Sequence, residues 1–411
     1  MATFAKVGRT YRLTDSTLWL QHYGSETWAG KSVTPNTALQ VATVWACIRK
    51  ISSVVSTLPL GVFTRLEDGS RRAANDHTLA ITLRKPNADS TSVEFRQGMI
   101  ACLLLYGNAY AEKLNTGGQV RGLTLLHPEL MTVERTEAGE RRYVYADPRG
   151  RRVYGEAEIW HLKGFNVCGD LGLSPIAYQR QTLGTAMATD EAAGRTFANG
   201  MKPSGFFVYD KTLTPEQREQ ARRVLVEPYT GAGNVAKVGI LEAGFKWEQV
   251  TIPPHDAELL ASGAWHVEEL CRWYDMPPIL IGHSPQGQTM WGSGVEQIML
   301  GWLTTSLGPL LKMIEESMWA SLVTPGERSV LYIEHNVDGL LRADSAGRAE
   351  MYSKLAQVGA ITPNQIADKE NFPRFEGGDV HLVNSTLVPL HLAGQRPGRV
   401  QPAPGEPIPE E

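Results

Sequence analysis

From Val41 to Ser56 apolar residues recur at three- and four-residue steps: Val41, Val44, Trp45, Ile48, Ile51, Val54 and Val55 share one side of a helix. Leu58-Pro59-Leu60-Gly61-Val62-Phe63 then stops the helix and starts a strand, since proline cannot extend the helix and Val and Phe favour a pleat. A second helix is expected over Ser92 to Leu105. It leads into Tyr106-Gly107-Asn108-Ala109-Tyr110 and a strand broken at Gly117-Gly118. Short strands around Thr124, Val133, Tyr143 and Ile159 alternate with turn residues, so residues 40 to 165 read as a mixed α+β region. Residues 1 to about 38 are weakly patterned and read as an arm.

The pattern changes at Ser174-Pro175, an N-cap followed by proline at the first helical position, and Asn199-Gly200 supplies the stop. The helix between would be about 37 Å long at 1.5 Å per residue. Thr182, Gly184, Thr185, Ala186, Ala188, Thr189, Ala192 and Ala193 give it a face of small residues, suited to close packing against copies of itself. A small α/β unit follows. It has a strand at Gly205 to Tyr209, the capping-box pattern Thr214-Pro215-Glu216-Gln217, and strands at Val235 to Leu241 and Phe245 to Val250. Leu259, Leu260, Ala264, Val267, Leu270 and Cys271 mark a second long helix from His255 to Tyr274. Ser293-Gly294-Val295-Glu296 starts another helix to about Leu322, followed by a strand from Ser329 to His335. Two helices are expected at Asp344 to Val358 and Thr362 to Glu370, the latter opened by Thr362-Pro363-Asn364-Gln365 and stopped by Asn371 and Pro373. Beyond Pro389 the Pro/Gly/Gln-rich tail is expected to be disordered.

Between Asp275 and Glu296 there is no Asp, Glu, Lys or Arg. Met276-Pro277-Pro278-Ile279-Leu280-Ile281 is an apolar plug, and Ser284 to Gly294 is a neutral loop rich in Gly, Ser and Gln. Such a loop can touch a polymer without gripping it.

Composition narrows the classes. The 411 residues exceed one typical core, and 42% hydrophobic with 20% charged residues is ordinary for a folded chain. A formal net charge of −4 argues against holding nucleic acid by phosphate neutralisation, though not against letting it slide past. Cys47, Cys102, Cys168 and Cys271 are far apart with no C-x-x-C, which disfavours a zinc site or a disulfide framework. Lys312, Glu315 and Glu316 interrupt the most apolar long segment, Val295 to Val323, so no membrane span is expected. No signal-peptide pattern opens the sequence, and an intracellular chain is expected.

Three near-motifs fall short of chemistry. Gly24-Ser25-Glu26-Thr27-Trp28-Ala29-Gly30-Lys31-Ser32 has five residues between its glycines where a phosphate-binding loop needs four. Gly282-His283-Ser284-Pro285-Gln286-Gly287 is one residue longer than a nucleophile elbow, and Pro285 would start the helix too abruptly. His127, His161, His266 and His335 share no metal-ligand spacing. No catalytic residue, metal or cofactor is expected. The rival enzyme reading is a serine esterase using Ser284.

In its order of motifs the chain resembles the portal proteins of tailed bacteriophages, of the shorter siphovirus type. The matching segments are Val44-Trp45-Ala46-Cys47-Ile48 through Leu58-Pro59-Leu60, then Leu105 to Tyr110. They continue with Gly172-Leu173-Ser174-Pro175-Ile176, Trp273-Tyr274-Asp275-Met276-Pro277-Pro278, and Gly359 to Gln365 with Gly377-Gly378-Asp379. The resemblance implies the α+β portal fold. It implies an arm (1–39), wing (40–172), stem helices (173–200 and 253–276) and a clip (201–252). A tunnel loop and tunnel helix (277–323), wing strand (324–340), crown (341–380) and disordered tail (381–411) complete it. It implies a homo-oligomeric ring, usually dodecameric, in the virion at the capsid portal vertex, assembled in the host cytoplasm. Double-stranded DNA would pass through the channel during packaging and ejection. The terminase large subunit, a head–tail adaptor, the major capsid protein and the scaffold would be partners, with no membrane. Gln286, Gln288, Thr289, Met290 and Trp291 are the implied tunnel-loop contacts with DNA, Trp291 alternatively being a packing anchor. Arg218, Arg222, Arg223 and Lys237 are the implied docking residues of the clip. The family's Asn-Glu pair reads Asn364-Gln365 here, which puts a salt bridge at Gln365 in doubt. The remaining rival is another head–tail adaptor ring.

Overall fold

The structure, a computed structural model, describes residues 27–167, 169–198, 205–208, 214–225, 246–249, 255–284, 293–337, 345–370 and 372–382. These fall into two compact units that divide between Val337 and Asp338.

The first unit begins with a one-turn helix α1 (Pro35–Ala38) and the long helix α2 (Ala42–Thr57). Most of the apolar stripe read from the sequence is buried, with Val41, Val44, Ile48, Ile51 and Val55 almost fully enclosed, but Val54 is only half-buried and Trp45 stands exposed at the edge of that face, 54% accessible. Next come β1 (Leu60–Arg65), β2 (Arg71–Ala73), α3 (Thr78–Arg84) and α4 (Ser92–Tyr106). The start of α4 is fixed by a reciprocal cap, with Glu94 N–H donating to Thr91 Oγ1 (3.3 Å) and Thr91 N–H to Glu94 Oε2 (2.7 Å). α4 packs along α2, and Arg96 caps the end of α2 by donating to Leu58 O at 2.8 Å.

The sheets follow in three short antiparallel sets. β3 (Asn108–Thr116) lies between β4 (Gln119–Leu126) and β8 (Ile159–Lys163). β5 (Met131–Arg135), β6 (Arg141–Asp147) and β7 (Gly150–Gly155) form a meander. β7 has no apolar alternation of its own. Only Tyr154 of it is buried, joining Tyr110, Tyr143, Tyr145, Leu126, Met131 and Ile159 in one cluster. The third set is β11-β1-β2, where β11 (Leu331–His335) returns to pair with β1, Val62 opposite Ile333.

After β8 come α5 (Pro175–Tyr178) and α6 (Arg180–Ala198). The single helix expected from Ser174 is therefore broken at Gln179. That residue is fully buried, donates its amide to the Tyr274 hydroxyl at 2.7 Å and has a backbone outside the helical region at ψ 8°. β9 (Gly205–Val208) pairs antiparallel with β10 (Lys246–Gln249), and α7 (Pro215–Leu225) lies between them in sequence. α8 (His255–Trp273) then runs antiparallel to α6, since Gln179 meets Tyr274 and Thr189 meets His266 (3.4 Å).

The helix expected from Ser293 to Leu322 is in fact α9 (Ser293–Trp302), a π turn (Leu303–Leu307) and α10 (Gly308–Leu322). α9 begins at Ser293 itself, one residue before the start at Gly294 that a Ser293 cap would give. Pro309 explains the π turn. In an unbroken helix its ring would clash one turn back, and the extra residue relieves the clash. The hydroxyls of Thr304 and Thr305 donate to Leu300 O and Gly301 O (both 2.7 Å), occupying carbonyls of the disturbed ladder.

The second unit contains α11 (Ser345–Gln357) and α12 (Pro363–Glu370). Tyr352 OH donates to Glu370 Oε1 at 2.8 Å, and Arg348 stands 3.3 Å from the same oxygen.

Candidate functional site

The neutral segment leaves α8 through a tightly specified exit. Asp275 takes φ 46°, a left-handed conformation that a short polar side chain tolerates and most residues resist. Tyr274 N–H (3.1 Å) and Met276 N–H (3.0 Å) both donate to Cys271 O, and Met276 is buried. Pro277 and Pro278 then open a single 3₁₀ turn, Pro278–Ile281, closed by Gly282 at φ 87°. An open pocket of about 440 Å³ lies beside this turn, lined by residues of α8, the turn and the π turn, Glu268, Cys271, Met276, Pro278 and Ser306 among them. The entry side of the loop is thus held by backbone hydrogen bonds and two prolines.

Gln286, Gln288, Thr289, Met290 and Trp291 lie outside the described residues, as does Lys237. Arg218, Arg222 and Arg223 are described, all exposed on α7. Arg223 has an i,i+4 neighbour, Glu219, at 4.0 Å, and its guanidinium stays in water. The cap read from sequence opens α7: Thr214 N–H donates to Gln217 Oε1 (3.1 Å) and Gln217 N–H to Thr214 Oγ1 (3.4 Å).

The near-motif around Lys31 has a structural task. Gly30 N–H (2.8 Å) donates to Thr27 O, and Lys31 N–H (3.2 Å) to Thr27 Oγ1, so these donors turn inward instead of converging on phosphate. Lys31 forms an ion pair with Glu191 of α6, and Trp28 N–H donates to Gln181 Oε1 at 3.0 Å. Thr27 lies so close to Gly184 that a Cβ there would sit 2.3 Å from its hydroxyl. Part of the small-residue face of α6 is therefore spent on Thr27, and the weakly patterned arm is packed from Thr27 onward, with Val33 and Ala38 in the core.

Two distant motifs interlock where β3 and β8 meet α5. Asn108 Oδ1 accepts from Gly172 N–H (2.8 Å) while its Nδ2 donates to Gly172 O (2.9 Å) and Tyr106 O (3.1 Å). Ser174 Oγ donates to Leu105 O at 3.1 Å. Gly107 sits at φ 70° with Leu173 O 2.1 Å from where a Cβ would be, so no other residue fits. The backbone of Gly172 fixes the orientation of the Asn108 amide, and this sets the tautomer of His161: Nε2–H donates to Asn108 Oδ1 (3.0 Å), leaving Nδ1 to accept from Tyr143 OH (3.3 Å). Burial, then Lys163 and Arg141, lower the His161 pKa to about 3, so the ring is neutral.

Each other histidine singled out is engaged locally. His335 Nδ1 lies 2.9 Å from Glu315 Oε1 inside the first unit. Burial alone would raise the Glu315 carboxyl, but hydrogen bonds from the His335 side chain and backbone outweigh it and hold the pKa below its usual range. His266 meets Thr189, and His127 Nδ1 accepts from Glu129 N–H at 3.3 Å. Among the described residues no group of three or more His, Cys, Asp or Glu is placed to hold a metal ion, and no helix is long and apolar enough to cross a membrane. Cys47 of α2 and Cys271 of α8, far apart in sequence, meet as free thiols with sulfurs 4.0 Å apart, one thiol donating to the other. No sequence signal could have paired them.

An α+β chain with an antiparallel helix pair, an insert between its members whose described elements are strand, helix and strand, and a Pro-Pro exit defines a class. This chain belongs to the phage portal protein family, whose profile matches residues 42–371. It is 37% identical over 365 residues to the portal protein of Enterobacteria phage HK97, covering 87% of this chain and 85% of that one. It is 29% identical over 393 residues to the probable portal protein of Streptomyces phage phiC31, covering 92% and 84%. Among solved structures, a chain from the neck of a native gene transfer agent particle, computed with C12 symmetry, superimposes with a TM-score of 0.60 at 21% identity, covering 89% of this chain and 95% of that one. The family is structural and non-enzymatic, and the esterase reading of Ser284 finds no support.

Proposed function

We propose that this portal protein works as a ring of twelve copies at one capsid vertex, through whose channel double-stranded DNA is packaged and later ejected. The observation that carries this reading is the antiparallel α6–α8 pair, matched in family with the HK97 portal and in fold with a chain from a twelve-fold neck. Trp28, Trp265 and Trp273 are exposed on or beside that pair and offer apolar contact to neighbouring copies. The neutral loop after the Pro-Pro turn meets DNA through Gln286, Gln288, Thr289, Met290 and Trp291. Having no cation, it adds no salt-dependent hold on phosphates. The β9–α7–β10 unit serves as the clip, with Arg218, Arg222, Arg223 and Lys237 meeting the terminase large subunit and then the head–tail adaptor. The strand-rich remainder of the first unit faces the major capsid protein and scaffold during assembly in the host cytoplasm.

Deleting Gln286 to Thr289, or substituting Gly292→Pro, should impair packaging or retention of DNA while the ring still assembles. Normal packaging and retention in the deletion variant would remove the loop assignment. Arg222→Glu with Arg223→Glu should weaken binding of the terminase or adaptor in a pull-down, and undiminished binding would place those arginines elsewhere.

A further inference from the structure

A groove of about 820 Å³ opens in the first unit between the β3 and β8 strands, β6 and the C-terminal end of α10. Its charge is one-sided: Lys113, Arg141, Lys163 and Arg328 line it against one carboxylate, Glu156. The cations form two poles. At the first, Lys113 is 9% exposed, and its ammonium donates to Ser321 O (3.1 Å) and Ser321 Oγ (3.2 Å), both neutral acceptors. Beside it Arg328 donates to Ala320 O (2.6 Å) and Val323 O (3.3 Å) and lies over the Trp319 ring, again with neutral partners. At the second pole Arg141 lies 3.1 Å from Glu156 and 3.3 Å from Asp170, with Lys163 beside it.

Holding an ammonium in a buried place on neutral oxygens costs solvation that the fold does not return. An ammonium has three donors, and Lys113 uses two of them on Ser321. Burial first, and then the neighbouring cation, Arg328 for Lys113 and Arg141 for Lys163, hold both lysines below their ordinary pKa, with Asp170 and Glu156 opposing the shift at Lys163. An arriving anion would reverse that. The lining also includes Val120, Ile159, Leu322 and Val323, almost fully enclosed, and the exposed Pro325, so beside its cations the groove offers a short apolar edge and suits carboxylates carried on a chain with small aliphatic groups. The chain's net charge of −4 gives nucleic acid no general attraction.

We infer that this groove docks an acidic, extended peptide segment of a partner protein, one carboxylate on Lys113 and Arg328 and another on Arg141 and Lys163. The inference does not depend on ring formation or on the DNA loop.

The test is fluorescence anisotropy of a labelled octapeptide of alternating Glu and Val, titrated with the full chain. Saturable binding is expected, weakened about tenfold by Lys113→Met or by Arg141→Gln with Lys163→Gln, as for loss of a charge-assisted contact. Glu156→Gln, which removes the groove's own carboxylate, should tighten binding about threefold. That variant keeps the test decisive should the buried Lys113→Met fail to fold. Equal affinity across all variants, equal binding of a Gln–Val peptide, or no binding at about 1 mM protein would overturn the assignment. Displacement by inorganic phosphate or a short DNA duplex at concentrations matching the peptide would also overturn it, in favour of a simple oxyanion or a nucleic-acid site.

Discussion

The two units each contain an asparagine that ties a glycine turn to a distant segment, and they differ in what surrounds the knot. In the first unit Asn108 clasps Gly172, with the fully buried Trp160, Leu162 and Ile176 nearby in the same core. In the second, Asn364 accepts from Phe375 N–H (3.1 Å) and donates to Phe375 O (3.0 Å) and Asp379 Oδ2 (2.9 Å), while Gly378 approaches within 2.4 Å of Oδ1 at its Cβ position. There Ile361 and Ala367 are the buried apolar side chains among the described residues, and Phe372 and Phe375 are exposed. The same polar device positions a junction beside a large core in the first unit and, among the described residues of the second, stands beside few buried apolar side chains. The described part of the second unit therefore rests on its hydrogen bonds to an extent the first unit does not.

The comparison breaks most easily at Asn108. Asn108→Ala removes four hydrogen bonds and strands the Gly172 groups, and should cost the first unit about 3 kcal/mol in denaturant unfolding. Asn364→Ala should cost about 2 kcal/mol, yet its effect on structure should be greater. Amide exchange should accelerate across residues 345 to 382 while residues 27 to 167 keep their protection. Equal acceleration in both regions would show that the units are not independent.

Acid sharpens the contrast, because only the first knot includes a histidine. His161 has its folded pKa lowered to about 3, against about 6.5 unfolded, so below 6.5 the unfolded chain binds the extra proton. Its contribution is complete above pH 6.5 and is lost as pH falls from 6.5 towards 3, by at most about 2 kcal/mol at pH 5 because the ring is partly accessible. His161→Gln should flatten that slope in thermal melts between pH 5 and 7. An unchanged slope would place the titration at another group. The smallest effect belongs to Gln365, which accepts from Thr362 N–H at 3.0 Å while Thr362 Oγ1 accepts from Gln365 N–H at 3.2 Å. Gln365→Ala should cost about 1 kcal/mol and Gln365→Glu should be neutral or stabilising at the helix N-terminus. The glutamine thus does the work of a cap without the charge whose absence had put a salt bridge in doubt.

What was legible in the sequence was what is local. The capping boxes at Thr214 and Thr362, the stripe of α2 and the long helices on either side of the insert are set by residues a few places apart. The break at Gln179 was hidden because the partner of its buried side chain, Tyr274, is far along the chain. The packing of Thr27 against Gly184 and the meeting of Cys47 with Cys271 were hidden for the same reason. The π turn left a trace in Pro309, readable once helix continuity is questioned. β7 could not be read because three of its six residues are Gly or buried Tyr and two are Arg, a composition without alternation. At the candidate site, the Pro-Pro exit and Gly282 were legible and Asp275's left-handed turn was not, since aspartate does not announce that conformation. The motifs of the resemblance turn out to be contact partners: Leu105–Tyr110 with Gly172–Ser174, and Asn364 with Gly377–Asp379. Each is meaningless alone and specified by the other.

The proposed portal ring is tested most directly by measuring particle mass in solution and imaging the same sample by negative-stain electron microscopy, with capsid components co-expressed. The account predicts rings with a central hole and a mass of about 540 kDa, twelve times the 45.2 kDa chain. A 45.2 kDa monomer at every concentration, with no ring in any field, would contradict it.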